Sequence, residues 1–155
     1  IIYKKINAER YWLESQYDYI VVDTAPSLGI ITQNLLYICD EILVISDCGK
    51  NSYKGIKTLM KEWDGATKDL EIPNQINGII INKVEKTKNV SRGYEDFLRG
   101  KQDISHLIYN NTISYNVKLQ ETEVACTPID FYDTENKGYE SFLALMHEME
   151  DKEVI

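Results

Sequence analysis

The sequence predicts an α/β fold, in which a mostly parallel sheet is flanked by helices. Short apolar runs that end in a polar residue alternate with segments of helical periodicity. The strongest runs are Tyr19–Asp23, Ile42–Ile45 and Gly78–Asn82. Runs this apolar predict strands that are buried on both faces, as in a parallel sheet covered by helices. With 155 residues, of which 43% are hydrophobic, the chain is predicted to form a single domain over 1–155.

Helices are predicted between the strands and after them. Ser52 is a candidate N-cap, and the apolar stripe of the helix behind it consists of Ile56, Leu59, Met60 and Trp63. Asp133 and Thr134 are candidate caps of a last helix. Its stripe consists of Tyr139, Phe142, Leu143 and Met146. Shorter helices are predicted over Ala8–Ser15, Ile31–Ile38, Tyr94–Lys101 and Val117–Val124.

Two weaker strands are predicted at Leu107–Tyr109 and, as an edge piece, at Pro128–Phe131. Right-handed crossovers place the carboxyl ends of parallel strands along one edge, where ligands of such sheets bind. We therefore expect the strand-end side chains Asp23, Ser46 and Asn82 to gather there.

Charge and composition narrow the function classes. The formal net charge of −8 differs from the basic footprint of most nucleic-acid-binding proteins. A local cluster, read either as a basic face or as a solvated loop, is formed by Lys83, Lys86, Lys88 and Arg92. The sequence contains no run of about 18 apolar residues, so no membrane-spanning segment is predicted. The three cysteines lack zinc-ligand spacing, which favours buried free thiols in a reducing cytosol. The first residue, Ile1, favours a chain cut from a longer one.

The segment Tyr17–Gly29 carries the sharpest local pattern. Asp23 closes an apolar run and precedes the turn Thr-Ala-Pro-Ser-Leu-Gly. A carboxylate on a rigid strand end suits Mg²⁺, which prefers oxygen ligands and often binds through water. A strand-end Asp also serves as a helix cap or turn former, and both interpretations remain open.

Tyr17–Gly29 resembles the Walker B and switch II region of the ParA/MinD (Soj-like) family of deviant-Walker P-loop ATPases. Further segments resemble the family's later elements in the same order: Thr32–Leu36, Cys39–Ile45, Ser52–Ile56, Ile76–Lys83, Ile113–Ile129 and Gly138–Phe142. The resemblance covers nearly the whole chain. It implies the C-terminal portion of a P-loop NTPase-like sheet that lacks its first strand and its phosphate loop.

The resemblance also implies a nucleotide site. Asp23 matches the aspartate that supports Mg²⁺ through water, and Asn82 matches an asparagine that hydrogen-bonds adenine. A side-chain amide offers both donor and acceptor to a base, although Asn82 is equally well read as a turn residue. The loop that senses the terminal phosphate is matched by Thr24, Ala25, Pro26 and Gly29. Ile113 and Ser114 match positions whose backbone groups approach the base.

The sequence departs from the family in its phosphate-binding part. A Gly-rich loop with two lysines is absent from the 155 residues, and Asp47–Ser52 offers a single glycine after the wrong strand. Ser46 replaces a proline that is common near this strand end. Catalytic residues are therefore expected upstream of Ile1, and the chain alone is predicted not to hydrolyse ATP.

Three functions follow from the resemblance. The leading one is part of a ParA-like ATPase for plasmid or chromosome partitioning, cytoplasmic, with ATP and Mg²⁺. Its implied partners are a second copy in a nucleotide-dependent dimer, a ParB-type protein, and DNA through the intact protein, but no membrane. A MinD-like regulatory ATPase is the second, although the acidic end Leu145–Ile155 opposes binding to anionic membrane. A non-catalytic ParA-like interaction scaffold is the third.

Overall fold

The computed structural model describes residues 2–25, 27–49 and 51–155. Seven helices and two strands are assigned in this part of the chain. In order they are α1 (Ile2–Glu14), α2 (Ile30–Leu36), β1 (Ile42–Asp47), α3 (Ser52–Leu70), β2 (Ile76–Asn82), α4 (Asn89–Arg99), α5 (Val117–Ala125), α6 (Ile129–Tyr132) and α7 (Lys137–Asp151). A 3-10 turn at Ser105–Leu107 lies between α4 and α5.

The strands β1 and β2 lie side by side and parallel, which confirms the predicted α/β class. The helix α3 connects them, as a parallel pair requires. β2 is buried at all its apolar positions, whereas β1 leaves Ile45 58% exposed. In the described residues, β1 pairs with β2 alone, so its outer edge carries no strand.

The edge of β2 that faces away from β1 is covered by residues 108–114, which run beside it without forming a continuous strand. The Tyr109 N–H donates to the Ile79 carbonyl at 3.0 Å, and the Ile113 N–H donates to the Ile81 carbonyl at 2.9 Å. This segment therefore acts as a partial third strand.

Two apolar clusters cover the two faces of the sheet. The larger joins one face to α2, α3 and α4 and contains Leu36, Ile42, Val44, Ile56, Trp63, Ile76, Ile79, Ile81, Val84, Leu98, Ile104 and Ile108. The smaller lies on the opposite face and contains Ile80, Tyr109, Ile113 and Leu145. Gly78 allows the Tyr109 ring to pack directly on β2, because an added Cβ would collide with that ring.

The prediction of a strand at Tyr19–Asp23 is wrong. These residues have no regular secondary structure, and Val21 is 91% exposed. The physical reason is pairing: an apolar run becomes a strand only beside a partner backbone, and β2 is the only strand that pairs with β1 in the described part.

The other strand predictions are also corrected. Leu107 closes the 3-10 turn, so pairing with β2 begins only at Ile108. Pro128–Phe131 is not an edge strand: Pro128 precedes the short helix α6, because proline suits a helix start and lacks the N–H that a strand donates.

The helix predictions are confirmed with changes at the caps. Asn136, and neither Asp133 nor Thr134, caps α7, because its side-chain oxygen accepts from the N–H groups of Gly138 at 2.8 Å and Tyr139 at 3.1 Å. Ser52 is the first residue of α3 rather than its N-cap.

Candidate functional site

A groove of about 1060 Å³ runs along the outer edge of β1. Residues 22–25 and 27–28 form one wall, and the first half of α3 forms the other. Its floor is β1 itself, and Asn82 and Lys83 close it where β2 ends. Small-molecule ligands of parallel sheets usually bind at the carboxyl ends of the strands, and Asp47 and Asn82 lie at that end of the groove.

The groove brings together four of the residues that the resemblance assigns to a nucleotide site. Asp23, Thr24 and Ala25 belong to the coil wall, and Asn82 lies at the strand end. Asp23 and Thr24 are exposed to solvent, so a ligand in the groove has direct access to a carboxylate and a hydroxyl. Ser46, the third predicted strand-end residue, is buried and also lines the groove.

Asp47 is a residue of this edge that sequence reasoning missed as part of a site. One of its carboxylate oxygens accepts from the Gly49 N–H at 3.1 Å and from the Ser52 hydroxyl at 2.5 Å. It thereby holds the turn that leads from β1 into α3. The signal that the sequence offered was its position directly after Ser46, where the predicted strand ended one residue earlier than β1 does.

Asn82 serves as a turn residue in this structure. Its side-chain oxygen accepts from the Lys83 N–H at 2.9 Å, and Lys83 adopts a left-handed backbone with φ of 56°. Asn82 also lines the groove, at the point where β2 ends.

Ile113 and Ser114 are engaged in contacts of their own. The Ile113 N–H donates to Ile81 and its carbonyl accepts from Val84, both at 2.9 Å. The Ser114 hydroxyl donates to the Lys137 carbonyl at 3.1 Å. Neither residue lines the groove as described, and both sit beside the end of β2.

The remaining predicted residues lie in or near the coil wall. Gly29 precedes α2 with an extended backbone and is not among the groove's described lining. Pro26 lies outside the described residues.

Metal chemistry at this edge would rest on few protein ligands. In the parts of the chain that are described, three or more His, Cys, Asp or Glu side chains never converge as a metal cage would require. Mg²⁺ commonly binds through one or two carboxylates, water and substrate phosphates, so the exposed Asp23 fits that ion without a cage. The three cysteines are free thiols, and Cys126 is exposed rather than buried.

Across residues 2–25, 27–49 and 51–155, every helix is too short or too polar to cross a bilayer.

The two parallel strands flanked by helices define an α/β class of protein and are consistent with part of a P-loop NTPase-like sheet. A family profile described as an AAA domain matches residues 6–76. The chromosome partitioning protein ParA of Myxococcus xanthus is 31% identical over 139 residues, which cover 88% of this chain and 48% of that protein. The sporulation initiation inhibitor protein Soj of Bacillus subtilis is 28% identical over 88% of this chain and 53% of its own length. The chromosome-partitioning ATPase Soj of Treponema pallidum is 28% identical over 94% of this chain and 56% of its own length.

These comparisons support the ParA/Soj-like family for this chain. The chain spans about half the length of the curated relatives it matches.

Proposed function

We propose that this chain is part of a ParA-like ATPase for chromosome or plasmid partitioning, and that ATP with Mg²⁺ binds along the β1 groove. The observation that carries the proposal is that the consecutive residues Asp23, Thr24 and Ala25 line the same groove as Asn82, which is distant in sequence and lies at the carboxyl end of β2. Relatives named for chromosome partitioning support the biological role.

Each groove residue has a chemical role in this proposal. The Asp23 carboxylate orients the water shell of Mg²⁺, and Thr24 and Ala25 lie against the terminal phosphate. Pro26 and Gly29 belong to the same phosphate-sensing loop. Asn82 offers its amide to the base edge. Ile113 and Ser114 lie beside the end of β2 but outside the described groove, and we propose that they approach the base from that side.

The phosphate-binding part comes from outside these residues in our proposal. Backbone N–H groups of a Gly-rich loop and its lysines normally neutralise the phosphates, and no such loop occurs in the 155 residues. The outer edge of β1 pairs with no strand of the described residues, so its backbone donors and acceptors can pair with the strand that carries such a loop. Residues 19–23 would then gain a sheet to join.

The proposed partners bind the intact protein, of which this chain is one part. We propose a nucleotide-dependent homodimer, a ParB-type partner protein, and a cytoplasmic location. Because this chain carries a net charge of −8, DNA association would depend on basic surface elsewhere in the intact protein.

Binding measurements on the protein that joins this chain to a phosphate-loop segment test the proposal. Calorimetric titration with ATP and Mg²⁺ should show saturable binding, which Asp23→Asn weakens mainly when Mg²⁺ is present. Asn82→Ala should weaken ATP while changing inorganic triphosphate little. Asp18→Asn is the matched control, since Asp18 is an exposed residue of the same coil. If all three variants bind ATP and Mg²⁺ as tightly as the unchanged protein does, the groove is not the nucleotide site.

A further inference from the structure

Two charged side chains form hydrogen bonds with opposite sides of the turn at residues 109–111. The Arg99 guanidinium donates to the carbonyls of Tyr109 and Asn110, each at 3.0 Å. The Glu148 carboxylate accepts from the N–H groups of Asn110 and Asn111, each at 2.7 Å. A cation thus holds the carbonyl side of the turn while an anion holds its N–H side.

The carboxylate of Glu148 is buried, and several hydrogen-bond donors surround it. Glu148 is only 8% exposed, and the Asn111 side-chain amide gives it a third hydrogen bond at 2.9 Å. The ammonium group of Lys152, the residue just after α7, lies 3.3 Å from the same carboxylate and 3.8 Å from the centre of the Tyr109 ring. A buried carboxylate persists only where such donors replace water.

The turn at residues 109–111 leads directly to the end of β2. Two residues after Asn111, the Ile113 N–H donates to Ile81, and the Ile113 carbonyl accepts from Val84. The peptide groups of Ile113 and Ser114 are thereby placed next to the turn that begins at Asn82. Residues 109–111 lead directly into this pairing, so the contacts of Arg99 and Glu148 and the backbone bonds of Ile113 together hold the segment that runs beside Asn82.

We infer that Arg99 and Glu148 are positioning residues that set the base-recognising end of the nucleotide site, and with it the preference for adenine over guanine. This inference rests on the proposed function. Base selection depends on the alignment of a few donors and acceptors, so a shift of about 1 Å in the supporting segment reduces it strongly. If this turn served only to attach α7 to the sheet, apolar contacts would suffice, and the charged groups of Arg99 and Glu148 on its two sides would not be needed.

The test compares ATP and GTP affinities in the protein that carries both this chain and the phosphate-loop segment. For Glu148→Gln we expect Kd for ATP to rise by about 10-fold and Kd for GTP by less than about 3-fold, so that selectivity falls. Glu150→Gln makes the same chemical change on the exposed side of α7, where Glu150 contacts His147, and should leave both affinities unchanged.

A merely structural role would weaken both nucleotides equally, and that result would overturn the inference. Arg99→Lys provides a second variant that keeps the charge but loses the paired contacts, and it should lower selectivity in the same direction. Amide hydrogen exchange on the 155-residue chain should also accelerate at Ile113 in Glu148→Gln but not in Glu150→Gln.

The outcomes separate the two proposals. If the wild-type protein binds ATP and Glu148→Gln keeps its full preference for ATP, only the positioning inference falls. If the wild-type protein binds neither nucleotide, the proposed function falls and the inference falls with it.

Discussion

Asp47 and Asn82 lie directly opposite each other at the carboxyl ends of β1 and β2. Each side chain accepts a hydrogen bond from the backbone just after its own strand, Asp47 from Gly49 and Asn82 from Lys83. Both strands therefore end in a polar side chain that turns the chain out of the sheet. Together they form a polar rim at the end of the groove where we propose that nucleotide binds.

The packing of Gly78 predicts a sharp difference between two glycines. Gly78→Ala should lower the free energy of unfolding by about 1–3 kcal/mol, because the new methyl group meets the Tyr109 ring and Leu43. Gly65→Ala in α3 meets open space and should raise it by up to ~1 kcal/mol through helix propensity. Urea unfolding of both variants measures this. Equal effects would contradict the packing of Tyr109 on β2.

The exposure of residues 19–23 predicts that Val21 contributes little to the stability of this chain. Val21→Ala should change the free energy of unfolding by less than about 0.5 kcal/mol, since Val21 is 91% exposed. Val84→Ala removes the same two methyl groups from a side chain that is 1% exposed and should cost about 2 kcal/mol. A comparable loss for Val21→Ala would show that this segment is buried in solution.

Asp47 is expected to hold the start of α3. Asp47→Ala removes the acceptor of the Gly49 N–H and of the Ser52 hydroxyl, and should lower the free energy of unfolding by ~1 kcal/mol. Asp64→Ala, which removes an exposed pair with Lys68, should cost only a few tenths of that. Thermal unfolding distinguishes them, and an Asp47 effect no larger than the Asp64 effect would remove its role in the turn.

The Glu148 contact predicts a pH dependence of stability. Burial alone would raise the pKa of Glu148, but the donors from Asn110, Asn111 and Lys152 outweigh it and hold the pKa below its ordinary value of 4.5. A carboxyl with a depressed folded pKa stabilises the fold fully above its unfolded pKa. That contribution is lost as the pH falls through the lower, folded pKa.

Chemical unfolding between pH 3 and pH 7 measures this dependence. In Glu148→Gln the free energy of unfolding should be lower near neutral pH by about 2 kcal/mol, and it should fall less steeply in acid. Glu150→Gln should keep the wild-type slope. An unchanged slope in Glu148→Gln would contradict the buried contact.

The sequence predicted the parts of the fold that local pattern determines. The apolar stripe through Ile56 and Trp63 predicted α3, and the continuous run before Asn82 predicted a strand buried on both faces. Tyr19–Asp23 has the same apolar pattern but is not a strand, because pairing depends on a neighbour that pattern does not supply.

The site shows the same division between local and distant information. Asp23 and Asn82 were predicted as site residues because each ends an apolar run, and both line the groove, while their roles in nucleotide binding stay a prediction. Glu148 was not, because its partners Asn110 and Asn111 lie 37–38 residues away in sequence and only the fold places them beside α7.

ATP turnover by this chain, alone and joined to a phosphate-loop segment, tests the central claim most directly. The 155-residue chain alone should release no phosphate above background, because no loop neutralises the transferred phosphoryl group. The joined protein should release phosphate only with Mg²⁺, and Asp23→Asn should reduce the rate by at least about 10-fold. Turnover by the isolated chain, or full activity in Asp23→Asn, would contradict the account.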